Sequence, residues 1–447
     1  MDGNEMTKQL ISDNWFTEIT KALKEYWQNR EVGFLIDYSD NLDTLKALMF
    51  ELQTCGAKIK AIISVSDESW RPKGVLCWHI VNINQRPLKE ILENQCMSIK
   101  HWLDKIDPER NITFLGGVRL PLSQFADRPV YGWQKPEWAQ FEDKIYIDDS
   151  LRRWGINTPA YQIIDPNIND AVAAFHLLNK GKGVILAIDG SESFSAGANG
   201  LAWIKDHHEI AHVLDKFRDK TRKLRVAEFI QGIPCSILAM VLPNGVAVFD
   251  PIEILTVFEK TTNHLLFCGS SNRWQSGKAE DVMRHCTRLA GQKLAEEVGY
   301  RGIFSLDGIW TGSDFFATEI NPRHASGLGL RRAAPMFPCY LFNRAVQENS
   351  PFIMNIDSVR VEMTLRGMVR NYSGQDIIIL DKDEKQQRVI EIEANDNMIV
   401  LGVPSEGIDA LIHCSLNQEK LLGNIVAELA SKVSDLDYIS FVNRDIN

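Results

Sequence analysis

The first third of the chain alternates short apolar runs with amphipathic helical patterns, and this alternation restricts the fold more than any other feature. The apolar runs that predict buried strands are Val32–Ile36, Ile59–Val65, Gly74–Ile83 and Ile112–Val118, and the helical patterns among them are Asn41–Gln53 and Leu88–Leu103. Strands that are joined through helices of this length return in the same direction. The pattern therefore predicts an α/β fold with a parallel sheet and helices on its faces.

Interruptions of this alternation divide the 447 residues into three expected domains. A stretch rich in proline and aromatic residues, from about residue 120 to 145, interrupts the rhythm, and we place the first boundary at its end. Residues 1–145 then form a Rossmann-like domain, residues 146–350 a central unit and residues 351–447 a small α+β domain. In the last of these, strands are predicted over Val359–Val369, Asp376–Leu380, Arg388–Glu393 and Met398–Leu401, and a helix over Leu416–Val433.

Composition excludes several classes of protein. Hydrophobic residues make up 45% of the chain and charged residues 24%, which is an ordinary globular mixture. The net charge of −10 argues against nucleic acid as a partner, because a global positive field is missing. Apolar runs are shorter than the roughly 18 residues of a membrane-spanning helix, and the polar N-terminus lacks a signal-peptide pattern. The eight cysteines form no CxxC pair. We expect reduced thiols, no membrane partner and a cytoplasmic location.

The segment Gly302–Gly327 carries the clearest chemical signal. It predicts two strands around a tight turn, with oxygen-bearing side chains at Asp307, Glu319 and Asn321. Glu319 and Asn321 are two residues apart on one strand, so they share a face. Two carboxylates and an amide oxygen on one patch would suit Mg²⁺ carried on the phosphates of a nucleotide. The alternative is that these acids lie on an ordinary solvated face.

The length of the turn decides whether Asp307 joins this patch. A four-residue loop of residues 311–314 would place Asp307 opposite Thr318, with Glu319 pointing away. A three-residue loop would place Asp307 opposite Glu319, and loops of that length commonly hold a left-handed residue. We expect the three-residue loop. Arg323 follows the second strand, where its guanidinium could bind phosphate or carboxylate.

A second feature is the small-residue loop Gly190–Gly200, which follows the predicted strand Val184–Ile188. Glycine lets the backbone approach a phosphate closely, and successive N–H groups can cradle it. The loop matches neither the dinucleotide-binding nor the Walker pattern. Taken alone, it fits an ordinary flexible hairpin loop as well as a phosphate-binding loop.

The order of these elements resembles the ATP-grasp superfamily of carboxylate–amine ligases. The resemblance rests on the strand and loop Val184–Gly200, on Arg225–Gly232 (RVAEFIQG) and on Ser305–Arg323, which contains SLDGI and ATEINPR. The segment Phe229–Leu255 is most similar to peptide ligases of the pheganomycin type. The resemblance implies an ATP-grasp core over residues 146–350, with lobes of about 146–225 and 226–350, and a pre-ATP-grasp domain before it.

The resemblance implies ATP and Mg²⁺ as cofactors, and a carboxylate activated as an acyl phosphate that an amine then attacks. Asp307, Glu319 and Asn321 match the metal ligands, and Arg323 and His324 are the catalytic candidates. The ATP-binding positions would be Glu228, Phe229 and Ile230 at adenine and Gly190, Ser195, Gly197 and Gly200 at the phosphates; further substrate-binding candidates are Ser326, Gly327, Arg331, Arg332 and Glu253. The implied partners are a small carboxylate and an amine, an amino acid or peptide, while a carrier protein and a homodimer are left open.

The chain departs from the superfamily at positions that bind ATP. Many relatives carry a lysine at the end of the strand before the glycine loop, where this chain has Ala187. A second lysine is expected just before the small lobe, and Lys144, Arg152 and Arg153 lie near that position. Pro234 stands where many members have a ribose-binding acid. These departures leave two alternatives: a nucleotide-binding protein without ligase turnover, and a kinase of small molecules.

A separate pattern, His208–His212 (HEIAH), is a literal HExxH sequence. On a helix it would place two imidazoles on one face, with a glutamate able to act on a bound water, as in a metalloprotease. A zinc enzyme also needs a third ligand and an open coordination position. The apolar stripe of Ile210, Val213, Leu214 and Phe217 favours an ordinary helix after the glycine loop.

Overall fold

A computed structural model describes most of the chain. It describes residues 14–370, apart from 38–39, 41, 66–71, 81–87, 189–199, 219–220, 260–263, 272–273, 275, 325–329 and 331–333, together with residues 399–400, 412–413 and 438–440. Most of the expected C-terminal domain lies outside the described residues, including the predicted strands Asp376–Leu380 and Arg388–Glu393 and the predicted helix Leu416–Val433. The strand predicted over Met398–Leu401 is observed as the short strand Ile399–Val400.

The N-terminal part contains the predicted parallel sheet. Its strands β1 (Glu31–Ile36), β2 (Lys58–Ser64), β3 (Leu76–His79) and β4 (Thr113–Gly116) lie in the order β3-β2-β1-β4, with helices α1 (Asn14–Trp27), α2 (Leu42–Thr54) and α3 (Leu88–Ile106). All three pairings are parallel. The chain steps outward from β1 to β3 and then returns to the other side of β1, so the order reverses between β1 and β4. The predicted α/β fold class is confirmed.

Among the described residues, ten strands form a second sheet. Its spatial order is β15-β14-β11-β12-β13-β9-β8-β10-β7, and the short strand Tyr438–Ser440 pairs with β12. The strands are β7 (Tyr161–Ile164), β8 (Val184–Ile188), β9 (Leu201–Ile204), β10 (Leu224–Glu228), β11 (Ile233–Leu242), β12 (Gly245–Glu259), β13 (His264–Ser271), β14 (Gly302–Trp310) and β15 (Phe315–Asn321); β5 (Gln124–Phe125) and β6 (Arg128–Pro129) form a separate small hairpin. The groups β7–β10 and β11–β15 meet at the pair Ala202 and His264, and the expected lobe boundary at about residue 225 falls inside β10.

Helices cover both faces of this sheet. They are α4 (Pro136–Ala139), α5 (Ile147–Arg153), α6 (Ile168–Leu178), α7 (Ile210–Phe217), α8 (Lys278–Val298), α9 (Cys339–Gln347) and α10 (Ser358–Arg370). Helix α8 packs on one face of β11 and β14 through a stripe that includes Met283, Ala290 and Leu294. On the other face, α9 and α10 share a core with α1, where the Trp15 indole donates to Thr364 Oγ1 at 3.1 Å. The N-terminal unit is thus packed against the central sheet. None of the described helices is long and apolar enough to cross a membrane.

The prediction of a strand over Val359–Val369 is wrong, because this segment lies in helix α10. Val361, Leu365 and Met368 are buried, and their spacing of four and three residues is that of a helix face. Val359 is 61% exposed, so the valines that suggested a strand do not share one buried face. Packing against the central sheet outweighs the weak strand preference of these β-branched residues.

Candidate functional site

The β14–β15 hairpin places Asp307 opposite Glu319. Trp310 pairs with Phe315, so the loop has the four residues 311–314, and the three-residue loop expected from the sequence is wrong. A β-bulge on the second strand takes up one extra residue and brings the two acids into register. The expected pairing of the two carboxylates is observed, but a bulge produces it and the turn does not.

Asp307 is held by hydrogen bonds from two sides. Ser236 Oγ donates to its Oδ1 at 2.5 Å, and Asn321 Nδ2 donates to its Oδ2 at 2.9 Å. Burial raises the pKa of Asp307 to about 6, and the negative charge of Glu319 adds to this rise. A positive charge placed between the two acids would therefore favour the ionised form of Asp307.

Glu319 is paired with a lysine from a distant segment. Lys144 Nζ lies 2.8 Å from Glu319 Oε2, and the two side chains are 17% and 28% exposed. Lys144 precedes helix α5, in the region where the resemblance implies a lysine before the small lobe. The alternative that Glu319 lies on an ordinary solvated face does not fit this partly buried ion pair.

The other basic candidates are committed to different partners. Arg152 donates to the carbonyl oxygen of Pro159, and Arg153 donates to Glu297 Oε2. Ala187 is buried in β8, opposite Arg225 of β10. Arg225 is buried as well and binds both carboxylate oxygens of Asp148. The position of Ala187, where the resemblance implies a lysine, therefore borders a buried arginine that is paired with Asp148.

Two arginines converge on Glu142. Arg119 Nε donates to Glu142 Oε2 at 3.1 Å, and Arg323 Nε donates to Oε1. Burial alone would raise the pKa of Glu142, but the charges of Arg323 and Arg119 outweigh burial and hold this pKa below its usual value. Burial lowers the pKa of Arg119 to about 10, and the like charge of Arg323 contributes. Because Arg119 follows β4, this contact connects the N-terminal unit to the hairpin.

The amide of Asn321 lies between these two groups. Its Nδ2 donates to Asp307, and its Oδ1 accepts from Arg323 Nη2 at 2.7 Å. The oxygen that would bind a cation is therefore shared with a guanidinium. Coordination of a cation through this oxygen would require the contact with Arg323 to lengthen.

Three residues of this site, Arg119, Glu142 and Ser236, belong to no motif visible in the sequence. Glu142 contacts Arg323 across a separation of 181 residues, and it lies in the proline-rich stretch interpreted as a domain boundary. Ser236 reaches Asp307 because β11 and β14 are neighbours, with these two residues opposite each other. No spacing within a single segment marks any of the three: Ser236 depends on the strand order, and Arg119 and Glu142 depend on how the N-terminal unit packs against the hairpin.

Two further candidates occupy different surroundings. The ring of His324 packs on an aromatic ring of helix α9, with 4.7 Å between centroids. Glu253 is buried in β12 opposite Cys235 of β11, whereas the next residue, Ser236, pairs with Asp307. Neighbouring residues of a strand point to opposite faces. The register therefore places Glu253 and Asp307 on opposite faces of the sheet and does not bring them together.

The expected adenine-binding segment lies at the end of β10. Glu228 is the last residue of that strand, and Phe229 and Ile230 follow in the link to β11. Glu228 Oε2 lies 2.8 Å from Lys180 Nζ. The ring of Phe229 stacks on Trp203, with centroids 4.3 Å apart and planes 10° apart. A flat aromatic pair and an ion pair thus border this segment.

Most of the other expected contacts lie outside the described residues. These are Gly190, Ser195 and Gly197 of the glycine loop, and Ser326, Gly327, Arg331 and Arg332 after the hairpin. Gly200, the last residue of the loop, is described, and its carbonyl accepts a hydrogen bond from Ile188 N at 3.0 Å. This bond joins the ends of β8 and β9 at the base of the loop.

No protein-family model matches the chain, and no curated protein matches it. Among solved structures, a carboxyaminoimidazole ribonucleotide synthase from Aspergillus clavatus complexed with ATP is similar, with 13% identity and a TM-score of 0.49 over 74% of this chain and 79% of that chain. An N5-carboxyaminoimidazole synthetase from Staphylococcus aureus complexed with ADP has 12% identity and a TM-score of 0.46, over 72% and 78%. D-alanyl-alanine synthetase A from Vibrio cholerae has 11% identity and a TM-score of 0.45, over 77% and 99%. Similarities of this size do not define a reaction for this chain, so its chemistry has to come from its own residues.

Proposed function

We propose that this chain is an ATP-grasp ligase that joins a small carboxylate to an amine, with ATP converted to ADP and phosphate. The observation that carries the proposal is the pairing of Asp307 with Glu319, with Lys144 and Arg323 beside them. Acids that hold a metal ion and cations that neutralise phosphate oxygens are the groups that phosphoryl transfer requires. In this protein they converge from segments far apart in the sequence.

The residues of this site fit a magnesium ion. Asp307 and Glu319 offer carboxylate oxygens, and Mg²⁺ is usually bound by one or two carboxylates together with substrate phosphates. Burial and the charge of Glu319 disfavour the ionised form of Asp307, and a divalent ion would offset both effects. When bound, Mg²⁺ would neutralise charge on the ATP phosphates.

The basic side chains would act on the anionic substrates. The ammonium group of Lys144 is paired with the Glu319 carboxylate. When ATP binds, it could bind a phosphate oxygen in place of this carboxylate. Arg323 would stabilise negative charge on the transferred phosphoryl group, and Arg119 would add a second guanidinium from the N-terminal unit. These residues orient the reactants and stabilise charge, so a nucleophilic side chain is not required.

The proposed reaction has two steps. An oxygen of the substrate carboxylate attacks the γ-phosphorus of ATP, the bond to the β-phosphate oxygen breaks, and ADP leaves. The nitrogen of the amine then attacks the acyl carbon, phosphate leaves, and the amine loses a proton as the amide forms. By the resemblance to pheganomycin-type ligases, the amine would belong to an amino acid or a peptide.

We place the adenine of ATP against Phe229 and Ile230, beside Glu228. The stacked rings of Phe229 and Trp203 support this placement, because an aromatic face can pack on a purine base. The phosphates would lie under the glycine loop, near Gly200 at its base.

A nucleotide-binding protein without ligase turnover is a second candidate, and Ala187 favours it. A lysine at this position would add a positive charge at the end of β8, next to the glycine loop. The neighbouring basic residue, Arg225, is paired with Asp148 on both carboxylate oxygens, so it offers no net charge. ATP binding in this chain therefore depends on Lys144 and the arginines.

Calorimetric titration with MgATP tests the nucleotide site. We expect wild type to bind, and Glu319→Gln to bind about tenfold or more weakly, since loss of outer partners of a metal site already costs roughly 10–100-fold. Asp314→Asn is the matched control, because Asp314 is an exposed acid in the loop of the same hairpin. Wild type that does not bind millimolar MgATP, or equal affinities in all three proteins, would contradict the proposal.

Product analysis separates the ligase from its alternatives. Acids and amines are supplied singly and in pairs, and ADP and phosphate are measured. Release of both only when acid and amine are present together supports the ligase. MgATP binding without ADP release in any combination supports the non-catalytic candidate, and a phosphorylated small molecule as the final product supports a kinase.

A further inference from the structure

Two histidines and an aspartate gather directly after β9, and none of them belongs to the acid group of the β14–β15 hairpin. A suitable ligand atom from each of Asp206, His207 and His208 lies within 4.8 Å of the others. His207 is half-buried, and Asp206 and His208 are exposed. We propose that this group binds a borderline divalent transition metal of the Zn²⁺ class.

The local backbone fixes this cluster. Asp206 caps the short 3₁₀ turn His207–Glu209, and its Oδ1 accepts from His208 N at 3.0 Å. The same oxygen lies 3.3 Å from His207 Nδ1. Because the cap holds Asp206 and the turn holds the two histidines, the three side chains are already directed to one small region of the surface.

The HExxH pattern in this segment forms a different site from the one the spacing suggests. His208 lies in the 3₁₀ turn, whereas His212 lies in helix α7, so the two do not belong to one regular helix. Glu209 Oε2 accepts hydrogen bonds from the backbone N–H groups of Lys205 at 2.9 Å and Asp206 at 3.3 Å. The glutamate that would act on water in a metalloprotease is thus used as a helix cap. The cluster uses Asp206 and His207 with His208, and His212 is not part of it.

A third imidazole approaches from another helix. His176, in the last turn of α6, has its ring centroid 5.3 Å from that of His207, which in turn is 3.9 Å from that of His208. His176 is exposed, so its side chain can rotate without disturbing the core. A rotation of this ring toward His207 would add a fourth ligand, and a bound ion would then connect α6 to the turn before α7.

The chemistry of the donors selects the class of metal. Imidazole nitrogen binds Zn²⁺, Ni²⁺ and Cu²⁺ strongly, whereas Mg²⁺ and Ca²⁺ prefer oxygen ligands. The carboxylate of Asp206 supplies an oxygen ligand beside the two imidazoles. The cluster is open to solvent, so water would complete the coordination shell.

Titration of the full-length protein with ZnCl₂ in a calorimeter tests the proposal. We expect one Zn²⁺ site in wild type. His207→Ala and His208→Ala should each bind Zn²⁺ about tenfold or more weakly, because losing even an outer partner of a metal site costs roughly 10–100-fold in affinity. His176→Ala and Asp206→Asn should also weaken binding, and asparagine retains the helix cap. His285→Ala, which removes an exposed histidine from helix α8, should bind like wild type.

A second readout keeps the test independent of the calorimeter. A ligand that binds only the folded state raises the melting temperature, so Zn²⁺ should stabilise wild type and His285→Ala but not the double variant His207→Ala/His208→Ala. Circular dichroism in EDTA checks that each variant is folded. Glu319→Gln should still bind Zn²⁺, because Glu319 lies in β15 and is not a member of the Asp206–His208 cluster. The proposal is overturned if wild type shows no Zn²⁺ binding, or if the folded double variant binds Zn²⁺ with the affinity of wild type, which would assign the binding to other side chains.

Discussion

Lys144 and Glu319 form an ion pair with 2.8 Å between Nζ and Oε2. The pair joins the segment before helix α5 to the second strand of the β14–β15 hairpin. Both side chains are largely shielded, at 17% and 28% exposure, so the interaction is screened less than a surface ion pair would be. It places a cation next to the acids that we propose as metal ligands.

Replacement of Lys144 by methionine should weaken MgATP binding. We expect a loss of about 10- to 100-fold, because a hydrogen bond between a charged group and its partner contributes roughly 1.5–3 kcal/mol. Calorimetry with MgATP measures this loss. Lys293→Met, which removes a lysine from an exposed pair with Glu296, serves as the control. A Lys144→Met protein with a lower melting temperature but unchanged MgATP affinity would show that Lys144 only supports Glu319.

Replacement of Glu142 by glutamine should destabilise the protein, because it leaves Arg119 and Arg323 close together without their shared carboxylate. We expect a loss of about 3 kcal/mol in the free energy of unfolding, at the lower end of values for breaking buried ion pairs. Urea unfolding at neutral pH measures the loss. Glu137→Gln, at an exposed position of the preceding helix α4, should change stability little.

The effect of Glu142→Gln on the free energy of unfolding should depend on pH. The pKa of Glu142 is held below its usual value in the folded protein, so its stabilising effect is present at neutral pH and is lost as the pH falls through the acid range. The stability difference between wild type and Glu142→Gln should therefore shrink on acidification. A difference that stays constant from neutral to acid pH would show that the charge of Glu142 is not the cause.

Replacement of Gly308 by alanine should disturb the register of the hairpin. An added Cβ would lie 2.4 Å from the carbonyl oxygen of Phe316, in the neighbouring strand. We expect a loss of about 2 kcal/mol or more in unfolding free energy, as for overpacked sites, and weaker MgATP binding because Asp307 and Glu319 move apart. Unfolding and MgATP titration are measured on the same samples.

The control for this variant is Gly299→Ala. Gly299 ends helix α8 with a φ of 60°, and an added Cβ there would meet nothing within 4 Å. The left-handed backbone should cost about 1–2 kcal/mol of stability without any effect on MgATP affinity. If both variants weaken MgATP binding equally, general destabilisation explains the effect and the bulge does not.

Replacement of Asp40 by asparagine should stabilise the protein at neutral pH. Burial raises the pKa of Asp40 to about 6 from 3.8, and the charge of Asp37 contributes, so the folded state binds a proton more tightly than the unfolded state. Stability of wild type therefore falls as the pH rises through this window, the opposite sign to Glu142. We expect a gain on the order of 1 kcal/mol for Asp40→Asn at pH 7.5, after discounting for partial exposure, and almost none near pH 4.

Denaturant unfolding of both proteins across this pH range measures the gain. Asp314→Asn, at an exposed loop position, should show no gain that grows with pH. An Asp40→Asn protein that is less stable than wild type at pH 7.5 would mean that the hydrogen bond from Asp37 N to the Asp40 carboxylate, at 2.8 Å, outweighs the effect of burial.

The sequence was informative where the deciding interactions are local. Alternating apolar runs predicted the parallel N-terminal sheet, because a strand between two helices needs both of its faces buried. The acids of the hairpin were also visible, since Asp307 and Glu319 flank a short turn. Their pairing was expected for the wrong reason, because a bulge cannot be read from residue spacing. Helix α10 was missed, because its buried stripe is defined by packing on the central sheet.

Only the tertiary structure decided which charges surround those acids. Lys144 reaches Glu319, Ser236 reaches Asp307, and Glu142 joins Arg119 to Arg323 across separations that no local pattern records. Such pairs depend on strand order and on how the N-terminal unit packs against the central sheet, and both follow from burial of apolar surface over the whole chain. The sequence by itself determined which segment carries the acids, because backbone periodicity acts over a few residues. Folding determined the cations beside them, because charges far apart in the chain meet only after the core has formed.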